Sequence, residues 1–303
     1  MSKVYNIHNL DFSIDQVSNR PEPARVLMTT PEFFDIVDVK NPHMEGQSGK
    51  LDKELAIKQW HQIKMAYKEL VHRQVLDAYL EIQGVEGCED MVFAANQTFP
   101  WITKTGEKVV IMSKMRHPSR QKEVQYFEKY FQGHDYKVIH LKKTNMFEGM
   151  GDAIPHYGKN LIYGGYGHRT DPVAYEEISE LLDVPIVLLE LVNDKFYHLD
   201  TCFIPLDENT VILCKEAFTE EGLAVINKLF SEVVEVPVEE AEKFFSLNAH
   251  IINLDGAKTA ILHKGSTVTK NALQKKGFEI KEVDTSEFIK SGGSVFCMKM
   301  MVY

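Results

Sequence analysis

Gly292-Gly293-Ser294-Val295-Phe296-Cys297 puts a cysteine after a small, flexible Gly-Gly turn and inside the apolar run, Val295–Val302, near the end of the sequence. Glycine lets the backbone turn where other residues would strain, so a thiol here can face a pocket while its strand stays buried. Taken alone, a free cysteine in an apolar run is more often a small core residue that never reacts. The run belongs to a series. Strand-like apolar stretches recur at Ala24–Met28, Val109–Met112, Leu161–Gly164, Val184–Val192, Val211–Cys214 and Thr259–Leu262, and helical patterns separate them. From about Asp52 to Val71, Ala56, Trp60, Ile63, Tyr67 and Leu70 repeat at helical spacing, with Lys and Glu on the other face. Further helices are signalled by Val124, Phe127 and Phe131, by Asp171-Pro172 as cap and first turn, by Thr219-Glu220-Glu221, and by Ser266 to Leu273 with Gly277 as the stop. Strands alternating with helices at this rhythm predict an α/β fold.

The remaining composition narrows the function class. With 303 residues, 44% hydrophobic and 26% charged, the chain can bury a large core, and no Gly/Ser/Pro-rich linker divides it. We expect one domain over residues 21–303, preceded by a loosely attached lead-in, residues 1–20. The formal net charge of −10 argues against nucleic acid or an anionic membrane as partner, where a basic face supplies most of the affinity. A small solute is the expected ligand. No apolar run approaches the roughly 20 residues that span a bilayer, and the start of the sequence is not apolar, which points to the cytoplasm. Cys88, Cys202, Cys214 and Cys297 form no CxxC pair and the twelve histidines form no HExxH, so neither a disulfide framework nor a metal is expected. There is no GxSxG elbow and no P-loop, and Gly164-Gly165-Tyr166-Gly167 lacks the GxGxxG spacing, so no nucleotide cofactor is expected.

Several clusters have the residue types that chemistry needs. In Phe196-Tyr197-His198-Leu199-Asp200-Thr201-Cys202-Phe203, an extended chain would point His198 and Asp200 to one face, an acid/base pair between aromatics. In Phe147-Glu148-Gly149-Met150-Gly151-Asp152, Glu148 on an apolar background needs a cationic partner, whereas Asp152 reads as a solvated turn acid. Asp90-Met91-Val92-Phe93-Ala94-Ala95-Asn96 alternates like a strand, with Asp90 and Asn96 on the same side. Arg116 and Arg169 each follow a strand-like run and could clamp a carboxylate with two hydrogen bonds.

Laid out in order, Asp90–Asn96, Arg116, Phe147–Asp152, Gly167–Arg169, His198–Thr201 and Gly292–Cys297 resemble the guanidine-modifying enzymes of the pentein superfamily: arginine deiminases, dimethylarginine dimethylaminohydrolases and amidinotransferases. Asn41-Pro42-His43-Met44-Glu45-Gly46, Phe93 with Ala95-Asn96, Arg116-His117-Pro118 with Arg120-Gln121, and Phe196–Phe203 look most like the arginine dihydrolases. The resemblance implies a five-bladed α/β propeller of ββαβ units around a central active-site pocket. It implies a hydrolase of carbon–nitrogen bonds in linear amidines, with Cys297 as nucleophile, His198 as general acid and base, and Glu148 and Asp200 holding the guanidinium. Arg116 and Arg169 would bind the amino-acid carboxylate, with Asn96, Asp90 and Asn41 as further substrate contacts. No cofactor is implied, and homo-oligomerisation is left open.

The physical logic is that a guanidinium is a poor electrophile, so hydrolysis needs a soft nucleophile, groups that fix the cation and an acid for the departing amine. The expected outcome is arginine converted to ornithine, ammonia and carbon dioxide. Deimination to citrulline, hydrolysis of dimethylarginine, and a non-catalytic pentein docking on the ribosome are the alternatives. Asn96 favours the first, because an amide can donate and accept while the Asp usual in deiminases pairs best with a cation. The chain departs from the dihydrolase pattern at Gly292–Phe296 and Gln97-Thr98-Phe99, beside the pocket, which bears on substrate identity.

Overall fold

The structure, a computed structural model, describes residues 3–303; Met1 and Ser2 of the lead-in lie outside the described residues. After β1 (Val4–Tyr5) come β2 (Arg25–Thr29), α1 (Lys53–His72) and β3 (Ala78–Ile82). One order then recurs. It runs β4 (Thr98–Ile102), β5 (Lys108–Met112), the short α2 (Pro118–Gln121), α3 (Val124–Gln132) and β6 (Lys137–His140), then β7 (Ala153–Pro155), β8 (Ile162–Tyr166), α4 (Pro172–Leu182) and β9 (Ile186–Glu190). Next are β10 (Phe203–Pro205), β11 (Thr210–Leu213), α5 (Glu220–Leu229) and β12 (Glu232–Glu235); after α6 (Val238–Phe244) come β13 (His250–Leu254), β14 (Ala257–His263), α7 (Thr267–Lys275) and β15 (Glu279–Val283). Finally α8 (Ser286–Ile289) leads to β16 (Lys299–Val302).

Each unit is an antiparallel pair followed by a helix and a strand returning parallel to the second. Among the described residues this gives five sheets, β4-β5-β6, β7-β8-β9, β10-β11-β12, β13-β14-β15 and β16-β2-β3, the second extended at its edge by β1. A parallel return needs a crossover long enough to hold a helix, which is why helices alternate with strands. The last sheet is closed by the two ends of the chain, since β16 pairs antiparallel with β2. The lead-in is tied down: β1 pairs with β9, Asn160 N–H donates to Ser18 O, and Arg20 is buried.

Local signals explain the helices. Asp52 caps α1 by accepting from Leu55 N–H, and the expected stripe Ala56, Trp60, Ile63, Tyr67 and Leu70 is buried. Thr219 caps α5 through Gly222 N–H, and Gly277, at φ +83°, stops the chain beyond α7. Three sequence expectations are corrected. The C-terminal strand begins only at Lys299, with Cys297 in the turn ahead of it; residues 90–97 are turns, with the strand starting at Thr98; and beyond His198 the chain is not extended but turns as a 3₁₀ helix over Leu199–Thr201. No helix among the described residues is long and apolar enough to cross a membrane.

The sheet and helix of the second unit meet at Gly164, where a methyl group would lie 2.8 Å from the Tyr175 ring. That ring is fully buried, and its hydroxyl donates to Asp152 O at 3.0 Å and Gly165 O at 2.7 Å, so the helix steadies the segment after Glu148. Gly164→Ala should destabilise the protein by about 1–3 kcal/mol through overpacking. A urea titration with an unchanged midpoint would show that Tyr175 can move aside at no cost.

Candidate active site

The Gly-Gly turn is required by crowding as much as by backbone angle. Gly292 has φ +82°, and a methyl there would meet the Asn41 amide at 2.7 Å; one on Gly293 would meet the Phe93 ring at 2.4 Å. The turn delivers Cys297, 2% exposed, to the grip of Asn248. The Asn248 carbonyl accepts from Ser294 N at 2.9 Å and Cys297 N at 3.1 Å, and its amide donates to Cys297 Sγ at 3.1 Å and Asp200 O at 3.0 Å. Cys297 Sγ in turn donates to Asp200 Oδ2 at 3.2 Å.

His198 and Asp200 do share one neighbourhood, for a different reason from the strand alternation expected. His198 precedes a 3₁₀ turn over Leu199–Thr201, and the turn brings Asp200 to the thiol. Glu148 precedes a second such turn, Gly149–Gly151, before β7. His198 Nε2 lies 2.8 Å from Glu148 Oε2. A carboxylate offers only lone pairs, so Nε2 carries the hydrogen and Nδ1, buried without a partner, is left as the base.

Glu148 is itself held from three sides: by His198, by Arg169 Nη1 at 2.9 Å and by Arg116 N–H at 2.9 Å. It is thereby committed to orienting His198 more than to meeting a ligand. Arg169 also donates to Lys40 O at 2.8 Å and lies over the Tyr197 ring at 4.7 Å, whereas Arg116 is exposed and its guanidinium reaches His168 O at 2.6 Å. Asp90 pairs with Lys40 at 2.9 Å, and Asn41 donates to Ser291 O at 3.1 Å. Asn96 Oδ1 accepts from Arg120 Nη1 at 3.0 Å, while Arg120 pairs with Glu123 at 3.1 Å. Asp152 is buried, not solvated as its turn suggested, with Oδ2 accepting from Thr170 Oγ1 at 2.7 Å and Oδ1 from Leu199 N at 3.1 Å.

A cavity with about 290 Å³ of empty space is lined by Cys297, Asn96, Asn41, Asp90, Arg169 and Arg120, with Lys40, Met44, Phe93, Tyr197, Ser291 and Gly292 completing the wall. Neither Arg116 nor His198 is in that lining. Asp200 and Glu148 sit one contact behind it, through Cys297 and Arg169. Burial opposes charge on Glu148, but Arg169 and His198 overcome it and hold the acid well below the usual carboxylate range. Burial lowers His198 to about 4 against the pull of Glu148, so the imidazole is neutral at pH 7. Burial pushes Asp200 up to about 7, and burial together with Asp200 drives the Cys297 thiol well above its ordinary value. Asp200 Oδ1 has no partner, and no cation is hydrogen-bonded to this carboxylate among the described residues.

Sequence reasoning missed Asn248, Arg120, Lys40 and Tyr197. Arg120 lies in the motif Arg116-His117-Pro118 with Arg120-Gln121, without a role of its own there, and Asn248, before a strand, belongs to none of the motifs. Among the described residues no three His, Cys, Asp or Glu side chains gather as metal ligands.

Residues 38–303 match the family model described as N,N dimethylarginine dimethylhydrolase, eukaryotic. The bifunctional arginine dihydrolase/ornithine cyclodeaminase ArgZ of Synechocystis is 33% identical over 282 residues, covering 93% of this chain, which thus spans 38% of that protein's length. The N(G),N(G)-dimethylarginine dimethylaminohydrolase of Mycobacterium tuberculosis is 31% identical over 93% of this chain and 87% of its own length. The crystal structure of the N-terminal domain of ArgZ bound to product superposes with a TM-score of 0.83 at 32% identity, covering 92% of this chain and 97% of that one.

Glu148→Gln keeps the shape and removes the charge that Arg169 and His198 share. Breaking a buried pair on one side leaves the other charge uncompensated, so stability should fall by about 3 kcal/mol. A loss below about 1 kcal/mol in urea unfolding would mean that water reaches Arg169.

Proposed function

The chain belongs to the N,N dimethylarginine dimethylhydrolase family, and from that membership we propose that it is a cysteine-dependent hydrolase of the arginine guanidino group, ending at ornithine. We read its five sheets as blades of a propeller formed by a single catalytic domain, with the cavity at the centre. The observation that carries the reading is Asp200: a buried carboxylate with a partnerless oxygen, 3.2 Å from a cysteine sulfur, is completed by a cation whose carbon sits over the thiol.

Guanidinium binding at Asp200 would favour the charged form of both the acid and the thiol, reversing their upward shifts. His198 Nδ1 takes the thiol proton as sulfur attacks the guanidinium carbon and returns it to the departing ammonia. The same nitrogen then draws a proton from water, which hydrolyses the amidino adduct to a ureido group. Asn96 supports a second round. Arg120 has only donors, so it fixes Oδ1 toward itself and leaves Nδ2, buried and unpartnered beside Gly151, as the free donor of a residue that lines the cavity. A donor there suits a ureido oxygen and not a guanidinium N–H. A second attack by Cys297 then releases the other ammonia and, after hydrolysis, carbon dioxide. Arg169 is so fully engaged that its part with the substrate carboxylate is confined to its electrostatic field. A second reading, removal of dimethylamine from dimethylarginine, is favoured by the family model itself and by Met44 and Phe93 in the wall, which would take N-methyl groups.

Incubated with arginine and no cofactor, the protein should yield ornithine with two ammonia per turnover, and Asn96→Asp should shift the product toward citrulline. Citrulline and dimethylamine from dimethylarginine, with arginine untouched, would transfer the assignment to the second reading; turnover of neither would overturn both. The acid limb of kcat/KM gives a separate check. Asp200 is raised to about 7, so it is protonated below that pH and able to hold a cation above it. Consequently log(kcat/KM) should climb by about one per pH unit to a bend near 7. A bend near 4 would show that Asp200 is already charged in the free enzyme.

A further inference from the structure

On the other side of the Cys297 turn lies a second cavity, with about 780 Å³ of empty space. Phe296 and Lys299 border it while Cys297, between them in sequence, faces the first cavity, and the two linings share no residue. Its walls are largely apolar, with Phe203, Met301, Pro100 and Leu247 among them. The charged groups at its edge are mostly spoken for. Arg20 pairs with Glu22 at 2.6 Å and donates to Tyr303 Oη and Pro21 O, and Glu22 also accepts from Gly158 N–H at 2.7 Å. His250 Nδ1 lies 2.9 Å from Tyr67 Oη, and burial holds that imidazole neutral.

Lys299 is different. It is 1% exposed, and its ammonium rests 3.2 Å from the centre of the Phe296 ring. Among the described residues no carboxylate lies within ion-pair distance of it and no acceptor takes its hydrogen bonds, so the ring face and the more distant Asp200 and Cys297 are its compensation. An ammonium so largely removed from water with so little to hold it is costly. Burial lowers it to about 7 even against the pull of Asp200 and Cys297, which makes it a charge that an added anion would restore.

We propose that this second cavity binds a small organic monocarboxylate with an aromatic or aliphatic body, its carboxylate on Lys299 and its body against the apolar walls. One cation asks for one negative charge, and a polyanion would find no second partner. A chain of net charge −10 repels anions in general, so binding here would reflect this site and not overall attraction. The inference does not depend on which guanidine is turned over, because it concerns binding alone.

The test uses phenylacetate as probe on the full chain, by titration calorimetry near pH 6.5. We expect one saturable site, weakened about tenfold or more in Lys299→Met, and wild-type binding of neutral phenylacetamide weaker by a similar factor. The amide comparison stands even should the variant fail to fold. Phenylacetate should still bind Cys297→Ser in the presence of saturating arginine. No saturable binding at millimolar concentration, equal affinity for the amide or for Lys299→Met, or displacement by arginine would each overturn the proposal.

Discussion

Charge taken out of water must be matched by charge or by hydrogen bonds, and that requirement organises the centre of this molecule. Asp90, Glu123, Glu148, Asp152 and Asp200 are each no more than 4% exposed. Lys40 answers Asp90, Arg120 answers Glu123, and Arg169 answers Glu148. Asp152 has no cation, but a hydroxyl and an amide N–H reach it, and burial raises it well above the usual carboxylate range. Asp200 alone of the five receives a thiol, a weak donor, and keeps an oxygen without a partner. The satisfied pairs act as fixed posts, and the unsatisfied acid marks the place they leave open.

The posts converge because the fold repeats. Asn96 precedes β4, Glu148 precedes β7, His198 and Asp200 precede β10, Asn248 precedes β13 and Cys297 precedes β16. Each of the five sheets therefore gives its contribution from the same point, the entry to its first strand. Residues up to about 200 positions apart need no long-range coincidence to meet; they need five copies of one local geometry. Two of the entries, at Glu148 and His198, even share the 3₁₀ turn that swings a polar side chain inward before the strand begins. Groups mounted on strand ends are held more firmly than groups on free loops, which suits a site whose hydrogen bonds are 2.8–3.2 Å long.

The helices and the buried strands were legible in the sequence, because their apolar periodicity is strong and their caps are local. The repeat was not. Strands such as Glu232–Glu235 and Glu279–Val283 are short, partly exposed and rich in charge, so nothing in their composition separates them from loops. Much of the site was legible by residue type and order: Cys297, His198, Glu148, Asp200 and Asn96 are gathered as a group. Its wiring was not. Whether Glu148 meets a ligand or His198, whether Asp152 is wet, and that Asn248 holds the thiol loop are settled by partners 18 to 50 residues away or more, which local pattern does not encode.

Buried polar atoms without partners are a cost of about 1–3 kcal/mol each, and a fold selected only for stability would scatter or remove them. Here three of them, Asn96 Nδ2, His198 Nδ1 and Asp200 Oδ1, belong to residues at or just behind one cavity: Asn96 in its lining, Asp200 behind Cys297, and His198 behind Tyr197 and Arg169. Their chemistry differs in a useful way: one donor, one neutral base and one acid near its titration point. In the reaction proposed above, a cation meeting Asp200 would recover part of the cost, and an oxygen formed later on the same carbon would recover another part at Asn96. The deficit would then be matched to successive stages of that reaction, with binding energy released where charge and hydrogen-bonding character change and not uniformly at the start.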